Sequence, residues 1–246
     1  MSVTAGRLSE PIATESARLR YPALVLSDSV RDNFVAPKMS KFARALIPEP
    51  PRTAAPWLLT FVLNSLDAKL ESPPYAHLLN FMRLTEAAFR DYVMAREQTE
   101  RYLHRPPTSD GISDYMAAVH GWEVFLADAD HALVSFSMNS KILFTKGDGS
   151  LEGRLRTLYN ESKHSSSVVQ SGLLPAGSTL SMWLESDGLH SLTSHVTFEE
   201  LAGILNDLGN WADATQNPAT AYETLKALID TKAVSADSSE TVIAAN

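Results

Sequence analysis

ISDYMAAVHGWEVFLADADHALVSF, residues 112–136, places Ile112, Tyr115, Val119, Trp122, Leu126, Ala129, Leu133 and Phe136 at steps that alternate three and four. A strand would need apolar residues at every second position. This spacing keeps them on one stripe of a helix for more than three heptads. Two architectures use such a stripe. One is the seam of a homodimer; the other is the central helix of an antiparallel bundle within one chain. The bundle is the expectation taken forward, with the dimer seam as its alternative.

Working outward, "HRPPTSDG" (104–111) ends a preceding helix expected over 75–103. That helix carries two adjacent apolar stripes, Leu78, Phe81, Ala88, Tyr92 and Leu79, Met82, Phe89, Val93. So wide a face is expected to be buried on more than one side. A shorter helix is expected over 57–70, between "PEPPRTAAP" (48–56) and "ESPP". Residues 1–18 are polar and aperiodic, and 20–48 show no clean period, so 1–53 reads as a partly disordered N-terminal extension. Downstream, "TKGDGS" is a turn, a helix is expected over 150–169, and "GLLPAGS" closes it. Near 179–196 the helical period is lost. Asp187-Gly188 between two short apolar runs predicts a two-stranded hairpin, with Gly188 supplying the positive φ of a type I′ turn. Thr197-Phe198-Glu199-Glu200 is a capping-box signature, and a last helix is expected over 218–232 before a frayed tail, 235–246. The predicted fold is mostly α: one domain over 54–234, a bundle of five to seven helices with one small β-hairpin.

The chain has 246 residues and no cysteine, so disulfides, thiolate catalysis and Cys-ligated zinc are excluded. Hydrophobic residues make up 44% and charged residues 20%, enough for a packed core. No signal-peptide pattern opens the chain, and the apolar stretch 56–66 is too short to span a bilayer. A soluble, cytoplasmic protein without membrane partners is expected. The net charge of −8 argues against a broad nucleic-acid surface, although Lys141, Lys146, Arg154, Arg156 and Lys163 make a local basic island. The seven histidines show no metal-ligand spacing, and no phosphate-binding glycine loop or nucleophile elbow is present, so neither metal nor cofactor is expected. Trp57, Trp122 and Trp211 lie on apolar helical faces and read as core. Trp183 reads as a cap where the ribbon meets the helices.

The densest polar stretch is "RTLYNESKHSS", residues 156–166. At 100° per residue, Leu151, Leu155, Leu158 and Ser162 share one arc, while Arg156, Asn160, Lys163 and His164 share the opposite one. A solvated helix face would account for that. Yet His and Asn have lower helix propensity than the Glu, Lys and Gln that usually fill such a face. Arg offers a fork for phosphate, His moves protons near neutral pH, and Asn can orient either. Together they could cleave RNA without a metal, two copies across a dimer enclosing what one helix cannot.

An Arg followed by Asn and then His, late in a helical domain, resembles the HEPN superfamily, over roughly residues 75–170. That resemblance implies a metal-independent endoribonuclease of toxin or phage-defence type, commonly built from two paired helical domains. It casts His164 as general acid/base, Arg156 as phosphate ligand, Asn160 as orienting residue, and Lys163 and Arg154 as RNA-binding neighbours. Seven residues separate Arg156 from His164, more than is usual in that superfamily. Many of its members are non-catalytic, so a protein-interaction or regulatory module with a protein partner stands as the alternative.

Overall fold

The computed structural model describes residues 26–66, 74–106, 111–140, 148–174, 177–218, 220, 221, 223 and 224. Its described helices are α1 (Asp28–Phe34), α2 (Trp57–Ser65), α3 (Pro74–Leu103), α4 (Ile112–Ser140), α5 (Leu151–Lys163), α6 (Ser165–Gln170) and α7 (Phe198–Thr215), with a 3₁₀ turn at Met39–Lys41. Three short strands, β1 (Met182–Glu185), β2 (Gly188–Ser191) and β3 (His195–Thr197), form one antiparallel sheet in that order.

The heptad stripe resolves as bundle core. Tyr115, Val119, Trp122, Leu126, Ala129, Leu133 and Phe136 are all buried inside the single chain. α3 and α4 form an antiparallel pair, shown by ring contacts between Tyr102 and Tyr115, Tyr92 and Trp122, and Phe81 and Phe136 at 5.1–5.4 Å. They approach closely where Gly121 faces Ala95; a Cβ at Gly121 would lie 3.0 Å from the Ala95 Cα. The buried Trp122 indole donates to Thr99 Oγ1 at 2.9 Å, and Thr99 in turn donates to the Ala95 carbonyl. A Trp can be wholly buried here because its N–H has that partner.

α3 buries Leu78, Phe81, Ala88 and Tyr92, and also Met82 and Phe89, so both stripes contribute to the core. Val93 does not: it is exposed, and with Met94 and Phe89 it lines a groove of about 360 Å³ beside residues 50–54. Of the tryptophans, Trp57, Trp122 and Trp183 are buried, and Trp211 is half-buried, stacked on Phe136 at 4.4 Å.

Part of the stretch expected to be an extension belongs to the core. Val35, Ala36, Met39, Phe42 and Ile47 are buried, and Phe42 stacks on Tyr102 at 5.6 Å. Residues 1–25 lie outside the described residues. α2 ends at Ser65 with Leu66 as its cap; the remainder of the expected 57–70 helix is outside the described residues. The expected final helix is seen at 218, 220, 221, 223 and 224, its remainder and the tail again lying outside.

The hairpin differs in two respects. It gains a third strand, and its turn residues are Ser186-Asp187, because Glu185 pairs with Gly188. Gly188 sits in β2 without a positive φ. Its missing side chain answers a different need: a Cβ there would lie 2.2 Å from the Val196 carbonyl oxygen and 2.6 Å from the Thr197 Cα, so glycine lets β3 close on β2. The capping box forms as expected: Thr197 Oγ1 accepts from Glu200 N at 3.1 Å, and Glu200 Oε2 accepts from Thr197 N at 2.9 Å. The sheet is fixed to the bundle by the buried Tyr115 hydroxyl, which accepts from Leu184 N at 3.0 Å.

Among the described residues, no helix is long and apolar enough to cross a membrane.

Candidate functional site: the exposed face of α5

Ser150 opens α5, its Oγ accepting from Gly153 N at 3.1 Å, with Glu152 favourably placed in the first turn. Leu155 and Leu158 are buried and Leu151 is half-buried, so the apolar arc faces the core. Arg156, Asn160, Lys163 and His164 are all exposed. Arg156 and Asn160 stand one turn apart on the same face. His164 does not continue that helix. The helix ends at Lys163, and His164 is its cap, with φ −106° and ψ 35°, while its N–H still bonds the Asn160 carbonyl at 2.9 Å. The expected single helix over 150–169 is thus two, α5 and α6. The run Ser165-Ser166-Ser167, of modest helix propensity, follows directly after the break.

Arg154, assigned to RNA from the sequence, is committed elsewhere. Its guanidinium forks onto Glu200 at 2.6 and 3.2 Å and donates to the His195 carbonyl at 2.9 Å. That hydrogen bonding, against the opposing effect of burial, takes the Glu200 carboxyl down to about 2. Arg154 therefore ties α5 to β3 and to the capping box of α7. Lys141 and Lys146 of the basic island lie outside the described residues.

Tyr159 and Ser162 turn toward α4. The Tyr159 hydroxyl lies 3.1 Å from His131 Nε2, the two rings meeting edge-on at 5.3 Å. Lys163 Nζ stands 5.6 Å over the Tyr159 ring, and Ser162 donates to Glu123 at 2.7 Å. Asp130 is buried at this seam. Burial raises its pKa, and the nearby charges of Arg156, His131 and Lys163 pull it back in part. His131 is the partner that sequence reasoning missed. Tyr159 could have been found, three residues after Arg156 and four before Lys163 on one helix edge; nothing in the sequence says which α4 residue meets that edge.

Asp128 points away, toward Asp91 on α3. Burial first, and then the hydrogen bond and charge of Asp91, push the Asp128 carboxyl up to about 6. A second polar cluster sits on the sheet. Glu185 accepts from Lys38 at 2.7 Å and from the Trp183 indole at 3.0 Å. Burial works to raise the Glu185 pKa, but these bonds and the charge of His190 lower it. His190 also meets Asp187 at 2.9 Å and stacks on His195. Lys38 holds a left-handed backbone (φ 58°), the single non-glycine residue among those described to do so. This cluster anchors the N-terminal segment to the sheet. Among the described residues, no group of three or more His, Asp or Glu side chains could hold a metal ion.

No protein-family model, curated protein or solved structure matches this chain.

Proposed function

We propose that the chain is a HEPN-like, metal-independent endoribonuclease of toxin or phage-defence type, with the exposed α5 face as its RNA-contacting surface. His164 serves as general acid/base, Arg156 holds the scissile phosphate, Asn160 orients them and Lys163 adds charge. The observation that supports this reading is that these side chains are exposed and are not held by the fold as Arg154 is. Arg156, Asn160 and His164 are exposed, and among the described residues their side chains enter no hydrogen bond or ion pair of the kind that holds Arg154. Asn160, of low helix propensity and exposed inside α5, fits a role toward a ligand rather than toward the helix.

The test compares wild type with His164→Ala, by toxicity on expression in a bacterial host and by incubating purified protein with cellular RNA. Wild type should be toxic and degrade RNA. His164→Ala should do neither while melting at the same temperature, because the imidazole is exposed and acts on the transition state. Equal cleavage by both would remove His164 from the mechanism. Intact RNA with wild type would favour a second reading, a non-catalytic module that binds a protein partner or a second copy. One feature supports that reading: Leu59, Val62, Leu63 and Leu66 form an outward apolar stripe on α2, with Leu66 74% exposed.

A further inference from the structure

The α4–α5 seam sets two cations of the proposed motif beside two polar side chains that the motif does not include. Arg156 and Lys163 are exposed cations one heptad apart on α5, on the edge that faces α4. Between them, Tyr159 hydrogen-bonds the exposed His131 of α4. That pair has a property independent of the tautomer. If the phenol donates to Nε2, the neutral imidazole carries its proton on Nδ1 and can donate it outward. If Nε2–H donates to the phenol oxygen, the phenol O–H is left to donate. Either way, one N–H or O–H donor remains beside two cations. Two carboxylates of α4 oppose them. Asp130 lies buried under the seam and the half-buried Glu123 is taken by the Ser162 hydroxyl at 2.7 Å, whereas the cations are at the surface. The exposed balance therefore favours an anion, in a protein whose net charge of −8 makes such a place uncommon.

We infer that the seam is a phosphate-binding site, in which Arg156 and Lys163 supply charge and the His131–Tyr159 pair supplies a directed donor. Its ligand chemistry is a phosphate ester oxyanion, either a single-stranded RNA backbone or a free phosphate. The inference builds on the ribonuclease reading, because Arg156 is shared, and it adds His131 and Tyr159 to the substrate-contacting residues.

The experiment follows the histidine ring resonances of the full chain by NMR at constant ionic strength. One titration uses inorganic phosphate and another a short single-stranded RNA. His131 resonances, assigned with His131→Gln, should move in saturable fashion. Those of His120, on the same helix beside Glu123, should not. Arg156→Ala and Lys163→Ala should each weaken the midpoint about tenfold, as expected for losing one charge-assisted contact. Tyr159→Phe should keep the cationic attraction and the melting temperature but weaken the midpoint, which a packing role for the ring would leave unchanged. Saturation by RNA with no response to phosphate would assign the site to the polymer backbone; saturation by both would assign it to the oxyanion alone. No saturable change at His131 with either ligand, or equal changes at His120, would overturn the site. Wild type that binds but leaves RNA intact would remove the ribonuclease reading and keep this site. Cleavage without a His131 response would do the reverse.

Discussion

Gly188→Ala tests why a glycine stands in β2. Gly188 pairs with Glu185 on one side and Thr197 on the other. An added Cβ would meet the Val196 carbonyl oxygen at 2.2 Å, the Thr197 Cα at 2.6 Å and the Val196 carbonyl carbon at 2.9 Å. All three are backbone atoms, so no side chain can rotate away. Comfortable carbon contacts begin near 3.5 Å, so β3 must withdraw by roughly 1 Å. β3 has only three residues, and Phe198 N also bonds the Asp187 carbonyl across the same gap. Overpacking of this kind costs about 1–3 kcal/mol. Replacing glycine returns about 0.4–1 kcal/mol by restricting the unfolded chain. The expected net loss is about 1–2 kcal/mol, read by urea unfolding of the purified variant. Gly188→Asn separates this cause from a left-handed turn. Asn tolerates positive φ better than Ala, so a turn role would make Asn the milder change. Close approach makes the larger Asn the worse one. A neutral Ala variant, or an Asn variant more stable than Ala, would refute the reasoning.

Leu126→Ala, at a fully buried position mid-stripe on α4, should lose about 2–5 kcal/mol in chemical denaturation; a loss below about 0.5 kcal/mol would mean that the stripe is not core. Glu200→Gln should flatten the acid limb of the stability–pH curve. The Glu200 carboxyl is held at about 2 against an ordinary 4.5, so its contribution is complete above about pH 4.5 and lost as pH falls toward 2. With a third of that side chain exposed, the contribution is about 1 kcal/mol, and an unchanged acid limb would contradict it. Asp128 has the opposite sign. Its carboxyl is raised to about 6, so the folded state holds the extra proton and stability falls as pH rises from about 4 to about 6. Asp128→Asn should remove that fall and stabilise the protein at pH 7 by about 1 kcal/mol, solvent screening included; no gain at pH 7 would show that the Asp91–Asp128 pair is not under strain.

The helices were legible because their signals are local. Spacing along α4, the prolines at 106–107 and the Thr197/Glu200 box each act within a few residues, and the structure follows them. What stayed hidden depends on partners distant in the chain. Phe42 has no periodic context, and it is buried because Tyr102 and Tyr115 receive it. β3 is three residues long and ends in the N-cap of α7, so the capping signal concealed the strand. Asp187-Gly188 carries a turn signature, but a close backbone approach looks the same in sequence as a positive φ. On α5 the polar and apolar arcs were separable by helical angle alone. That Arg154 would be taken by Glu200 and that Tyr159 would meet His131 were not, because both partners come from other elements.

The placement of Phe42 has a consequence for the order of assembly. α3 and α4 are neighbours in sequence and pair along their length, so their loop closure is short and their association fast. Residues 35–47 instead close on Tyr102 and Tyr115 at the connected end of that hairpin, and the Tyr102 hydroxyl donates to the Met39 carbonyl at 3.4 Å. On a ribosome this segment emerges first and finds its ring partners only after about sixty to seventy further residues have followed. Its amides should be among the last to gain protection from hydrogen exchange during refolding, and the first to lose it when the native bundle opens locally.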